Sequence, residues 1–138
     1  MPAVLDEQTD DIIDWSTFSS VRVELGANFV RILGYFREDG EKSVTRIEAA
    51  MHARDTASLV LPAHTMKSEA RQFGAAPLAM LAEEIENSAR HGIEIQMFPD
   101  EILPQVARLR PLYERTMALL DERANPVMRR AVGFGRRA

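Results

Sequence analysis

Cysteine is absent, so disulfides, thiolate metal sites and cysteine nucleophiles are excluded, and a reducing compartment is compatible. No apolar run approaches the roughly 20 residues needed to cross a bilayer, so no membrane span is expected. The start, MPAVLDEQTDD, has neither the basic n-region nor the apolar h-region of a secretory leader. There is no excess of positive charge: the formal net charge is −4, which argues against broad nucleic-acid binding. The seven glycines form no Walker-type or G-x-G-x-x-G pattern. ATP is therefore not expected to be a direct substrate. The three histidines lie far apart with no metal-ligand spacing, and no Glu-x-x-His pairs of the di-iron bundle type occur.

What is present suits one domain. The chain has 138 residues, 46% of them hydrophobic and 28% charged, enough apolar material for a single core. Helical periodicity dominates, and no strand pattern or internal repeat is visible. An acidic lead (1–14) precedes a short helix over about Ser16 to Leu25, with a turn at Gly26 and Asn28. Phe29, Ile32, Leu33, Phe36, Val44, Ile47 and Met51 recur at helical spacing, predicting one long helix to about Arg54 despite Gly40. Asp55 and Thr56 offer N-cap oxygens for a helix to about Phe73, which Gly74 stops. Pro62 predicts a kink or a loosened first turn within it. A fourth helix is expected from about Pro77 to His91 with Gly92 as its break, then a loop over 92–99. A fifth helix should cover Glu101 to about Arg123, with Ile102, Val106, Leu109, Leu112, Tyr113, Met117 and Leu120 inward. Several amphipathic helices with short connections bury their faces as an antiparallel bundle. The fold expected is all-α: an antiparallel four-helix bundle over 15–123 with a short additional N-terminal helix. A basic tail (124–138) follows.

The third helix carries the chemistry. Leu59, Ala63, Met66, Ala70 and Phe73 form one apolar seam. Beside it, His64, Lys67, Ser68 and Arg71 fall at plus three, four and seven, on one side of the helix. An imidazole on a polar stripe with cations nearby suits a phosphoryl acceptor. A neutral ring is nucleophilic near pH 7, and a cation one turn away disfavours the protonated ring and attracts incoming negative charge. Ser68 is small enough to let a partner close over the histidine. One histidine on a helix is ordinarily just a solvated side chain, so the stripe alone assigns no function.

The stretch AHTMKSEARQFGA, residues 63–75, resembles the signature of the histidine-containing phosphotransfer (HPt) family, approximately A-H-T-L-K-G-S-(small)-x-x-(apolar)-G-A. His64, Thr65, Lys67, Phe73, Gly74 and Ala75 match as they stand. Ser68 replaces the commonest glycine, and Glu69 stands where a small residue is usual. The long helix before the motif, the LAEEIENSARHG run after it and the closing helix with Tyr113 extend the resemblance over roughly 15–123. The resemblance implies that His64 is the phospho-accepting histidine, attacking in line through Nε2, and that Lys67 stabilises phosphoryl charge. It implies exchange with aspartates of response-regulator receiver domains or a hybrid sensor kinase, with Mg2+ on the receiver and no cofactor on this chain. Such a protein is a phosphotransferase rather than an ATP-dependent kinase, and is expected to be cytoplasmic and monomeric. Ser68, Glu69, Arg71 and Gln72 are the expected partner contacts, together with apolar residues of the first helix and the outer edge of the second.

The remaining polar residues read as ordinary. His52 is expected on the surface and His91 at a helix C-terminus. The EEIE run at 83–86 reads as a solvated helix face, and Met66 and Met80 as core. Two other functions compete: a non-catalytic adaptor that binds a receiver without accepting phosphate, and an oligomerising bundle paired through its last helix and tail.

Overall fold

The computed structural model describes residues 12–124. They form α1 (Trp15–Leu25), α2 (Phe29–Ala53), α3 (Ala57–Gln72), α4 (Ala76–Ile95) and α5 (Leu103–Ala124), with 3-10 turns at Gly26–Asn28 and Asp100–Ile102. Helices α2 to α5 pack in a closed ring of neighbours, and α1 lies against α2 and α3. This is the all-α four-helix bundle with an extra short helix. The acidic lead through residue 11 and the basic tail from residue 125 lie outside the described residues.

An aromatic chain runs through the core. Trp15, Phe18, Phe29 and Phe73 meet in successive edge-to-face contacts. Phe73 then stacks on Phe36, which meets Tyr113 of α5 edge-on. Such pairs add roughly 0.5–1.5 kcal/mol each beyond area burial. Ile12 and Ile13, which precede the boundary expected at residue 15, are both buried in the core. Asp14 caps α1, its Oδ1 accepting from the Ser16 and Thr17 amides at 3.0 and 3.4 Å. Its own amide donates to the Gly74 carbonyl at 2.8 Å. Gly74 is left-handed at φ +79°, and a Cβ there would come within 2.7 Å of the Asp14 carbonyl. The residue that stops α3 is thus also the seat of the chain entering α1.

α2 runs unbroken through Gly40, where any Cβ would overlap the Tyr113 ring. α3 likewise continues through Pro62, which is buried. Its first turn closes by a short-range bond, Leu59 amide to Thr56 carbonyl at 3.1 Å. The carbonyl freed by the missing proline N–H belongs to Ser58, an exposed residue that water can satisfy. Asp55 supplies the cap, accepting from the Ser58 amide at 3.3 Å and its hydroxyl at 2.7 Å. The Thr56 side chain makes no capping bond.

Three expectations are corrected. Gly92 does not end α4, which continues to Ile95 and closes on left-handed Gln96. Gly92 is a contact point instead: a Cβ there would lie 2.6 Å from the Met97 carbonyl and 3.2 Å from Thr56 Cγ2. α5 begins at Leu103 rather than Glu101, because Asp100–Ile102 form a 3-10 turn. Met66 is fully buried, but Met80 is 62% exposed. Beside Gly92, Arg54 stacks on Phe98 at 4.6 Å and pairs with Asp100, tying the α2–α3 corner to the α4–α5 connection. No helix among the described residues is long and apolar enough to cross a membrane.

Candidate functional site

The seam of α3 fixes where its polar side chains point. Leu59, Ala63, Met66, Ala70 and Phe73 are all fully buried, so the neighbouring positions on the α4 side lie at the rim of the α3–α4 interface. His64 is one of these, with its side chain half exposed. Its Nδ1 lies 3.0 Å from Oε2 of Glu86 on α4, a residue only 3% exposed. Lys67 Nζ lies 2.7 Å from the other oxygen, Oε1. Arg90, one turn along α4, donates to Oε2 from Nε at 2.9 Å and approaches it with Nη2 at 2.8 Å. Glu83 sits one turn before Glu86, accepts from Arg71 Nη2 at 2.8 Å and stands 3.9 Å from Lys67 Nζ.

Glu86 organises this cluster. Burial pushes its carboxyl upward, but the close Lys67 ion pair and the hydrogen bonds from Arg90 and His64 win and hold it down at about 2. An ionised carboxylate has no proton to give, so the bond to His64 is donated by Nδ1–H. In the neutral ring the lone pair therefore sits on Nε2. The same oxygen fixes the ring plane, as an orienting carboxylate does for a catalytic imidazole. The arrangement holds the ring by Nδ1 and leaves the Nε2 lone pair outside that bond, with three cations gathered on two glutamates nearby.

Residues 31–121 match the model of the Hpt domain. The chain belongs to the Hpt domain family. The solved structure of histidine-containing phosphotransfer protein B (HptB) from Pseudomonas aeruginosa PAO1 is similar, with a TM-score of 0.70 and 25% identity, covering 81% of this chain and 93% of that one. Among curated proteins none matches. The family and this neighbour support a histidine phosphotransfer role in two-component signalling. Hpt domains interact with kinases or response regulators, which sets the class of partner.

Within this Hpt domain the sequence-derived stripe is partly assembled. His64, Lys67 and Arg71 all face α4, while Ser68 and Gln72 are exposed. Glu69 turns the other way, towards α2, beside Asp39. Burial and the Asp39 charge, with a hydrogen bond between the two carboxyls, push Glu69 up to about 7. His52 and His91 are exposed. His91 lies inside α4 rather than at its end, 4.0 Å from Glu94. Among the described residues no group of His, Asp and Glu side chains could hold a metal ion.

Two expectations about charge are corrected. EEIE is not a solvated face: Ile85 and Glu86 are buried, and Glu83 and Glu86 carry the pairing. The charge touching the His64 ring is the Glu86 carboxylate, while Lys67 is engaged by that same carboxylate. Sequence reasoning also missed Arg90. The signal available was the spacing of Glu83, Glu86 and Arg90 at i, i+3 and i+7, which puts them on one helix face. Nothing in that spacing says the face is turned towards α3.

Proposed function

We propose that this protein is a phosphorelay intermediate in which His64 accepts a phosphoryl group from the phospho-aspartate of a receiver domain and passes it to a receiver aspartate. The observation carrying the reading is the His64 Nδ1–Glu86 bond, which leaves a half-exposed imidazole with Nε2 as its free nucleophile. In the forward step the Nε2 lone pair forms the N–P bond as the aspartyl P–O bond breaks, and the receiver carboxylate leaves. The reverse step returns the group. Phosphoryl transfer asks mainly for positioning and charge stabilisation. Glu86 provides the first, and Lys67 provides the second by turning from Glu86 Oε1 to the incoming phosphoryl oxygens.

The magnesium ion of this chemistry belongs with the receiver's aspartate. Response-regulator receivers and a hybrid sensor kinase are the partners, and Ser68, one turn from His64, with Arg71 and Gln72, two turns along α3, continues the surface where a receiver would close. Glu69 is turned towards Asp39 and away from this surface, so it is not among the proposed contacts. The protein works as a monomer in the cytoplasm.

The test is incubation with a phosphorylated receiver domain, comparing wild type with His64→Gln. Wild type should acquire an acid-labile, base-stable label, and the variant should acquire none. Equal labelling of both would remove His64 from the role. Binding to the receiver without any label on wild type would make the chain an adaptor.

A further inference from the structure

We infer that Arg90 is a positioning residue for this transfer: it is the standing counterion of Glu86 that lets Lys67 leave for the phosphoryl group. The inference rests on the reading of His64 as acceptor. Among the described residues Glu86 has three partners in the resting site, His64 and Arg90 on Oε2 and Lys67 on Oε1. Its side chain is 4% exposed, so water cannot replace a cation that departs. If Lys67 were its only cation, moving Lys67 to the substrate would strand a buried carboxylate, which is strongly unfavourable. The lysine would then stay where it is.

Arg90 removes that conflict. Its Nε and Nη2 both converge on Oε2, at 2.9 and 2.8 Å, leaving Oε1 to Lys67 alone. The guanidinium is always charged and its planar fork keeps the carboxylate in one rotamer, so Oε2 stays aimed at His64 Nδ1 while Oε1 is vacated. Glu83 offers Lys67 a second anchor 3.9 Å away, but Arg71 already holds the same Glu83 oxygen at 2.8 Å. Among the described residues the charged groups facing Glu86 are thus His64 and Lys67 from α3 and Arg90 from its own helix, with Glu83 and Arg71 at the edge. Of these, Arg90 alone can keep Glu86 neutralised without being needed at the phosphoryl group.

The experiment uses phosphoramidate as donor, so that receiver docking does not enter. Nε2 forms its bond to phosphorus, the donor P–N bond breaks, and ammonia leaves. Labelling rates are measured for wild type, Arg90→Gln, Arg90→Lys, Lys67→Ala, the Lys67→Ala/Arg90→Gln double variant and His64→Gln. Arg90 is 55% exposed, so its variants should fold, and helical circular dichroism checks this. Arg90→Gln should slow labelling about tenfold, and Arg90→Lys should recover most of that rate. Because Arg90 acts through Lys67, the double variant should match Lys67→Ala within about twofold. Multiplicative losses in the double variant, an Arg90→Gln rate equal to wild type, or a failure of lysine to rescue would each overturn the inference. Labelling of His64→Gln at the wild-type rate would instead overturn the acceptor assignment on which it rests.

Discussion

Glu86 Oε2 and His64 Nδ1 stand 3.0 Å apart across the α3–α4 interface, separated by 22 positions in the chain. Glu86 is buried and His64 half exposed, so the pair joins the core to the reactive surface. A ring held this way cannot spin about its χ2 without breaking a charge-assisted bond. Orientation of the nucleophile is thereby set by the packing of α4 on α3.

Replacing Glu86 by glutamine keeps the shape and removes the charge. Labelling of His64 should fall by about tenfold to a hundredfold, because the ring loses its fixed orientation and Lys67 loses its anchor. Stability should change as well. Burial raises the Glu86 carboxyl, yet Lys67, Arg90 and His64 together hold it at about 2 against an ordinary 4.5. A depressed folded value gives stability that is present above about pH 4.5 and is lost as pH falls through about 2, at most about 3 kcal/mol. Urea unfolding of wild type and Glu86→Gln should show a gap at pH 6 that narrows by pH 3. A gap independent of pH would contradict the charge-based account.

The apolar seam of α3 was legible because each of its five residues obeys helical spacing, and all five are buried. His64 beside them followed from the same periodicity and the surrounding motif. Glu86 was not legible as a site residue, because a Glu-Glu-Ile-Glu run is polar by composition whichever way its helix is turned. Only the packing of α4 on α3 decides which glutamate is covered. Gly92 misled for a similar reason. Glycine marks both helix ends and places where another backbone comes close, and here the neighbour is the Met97 carbonyl, which folds back from beyond the helix. Met80 was assigned inward by residue type, and α4 simply places it on the open side of the α4–α5 groove.

Glu69 should make the protein lose stability as pH rises from about 4.5 through about 7. Burial first, then the charge and hydrogen bond of Asp39, raise its carboxyl from 4.5 to about 7. A raised folded value gives stability that is complete below about pH 4.5 and is lost as pH rises through about 7. Glu69→Gln keeps a hydrogen-bonding group without the charge. At pH 8 it should stabilise the fold by about 1 kcal/mol, a figure discounted because the side chain is only half buried. At pH 4 the two proteins should unfold at nearly the same urea concentration. Destabilisation by Glu69→Gln at pH 8 would rule the carboxyl pair out as the cause.

The two methionines provide a contrast between core and surface. Met66→Ala empties a fully buried position on the α3 seam and should cost about 2–5 kcal/mol. Met80→Ala alters a residue that is 62% exposed and should change stability by less than about 0.5 kcal/mol. Thermal unfolding of the two variants separates these outcomes, and equal losses would place Met80 back in the core.

Gly40→Ala tests how α5 is held against α2. Helix propensity alone favours alanine by about 1 kcal/mol at an interior position, and α2 is a 25-residue helix with Gly40 in its middle. The added Cβ, however, would overlap the Tyr113 ring. Tyr113 cannot easily withdraw, since its hydroxyl donates to the Arg37 carbonyl at 2.6 Å. Burial also pushes that phenol up to about 12, so it stays a donor across the neutral range. The expected result is a net loss of about 1–3 kcal/mol, the usual cost of overpacking. In a Tyr113→Leu background the ring is gone, and the same substitution should become neutral or stabilising, because propensity then acts unopposed. The two changes should therefore be coupled in a double-mutant cycle. Additive effects would mean that Gly40 is tolerated in α2 for some reason other than the approach of Tyr113.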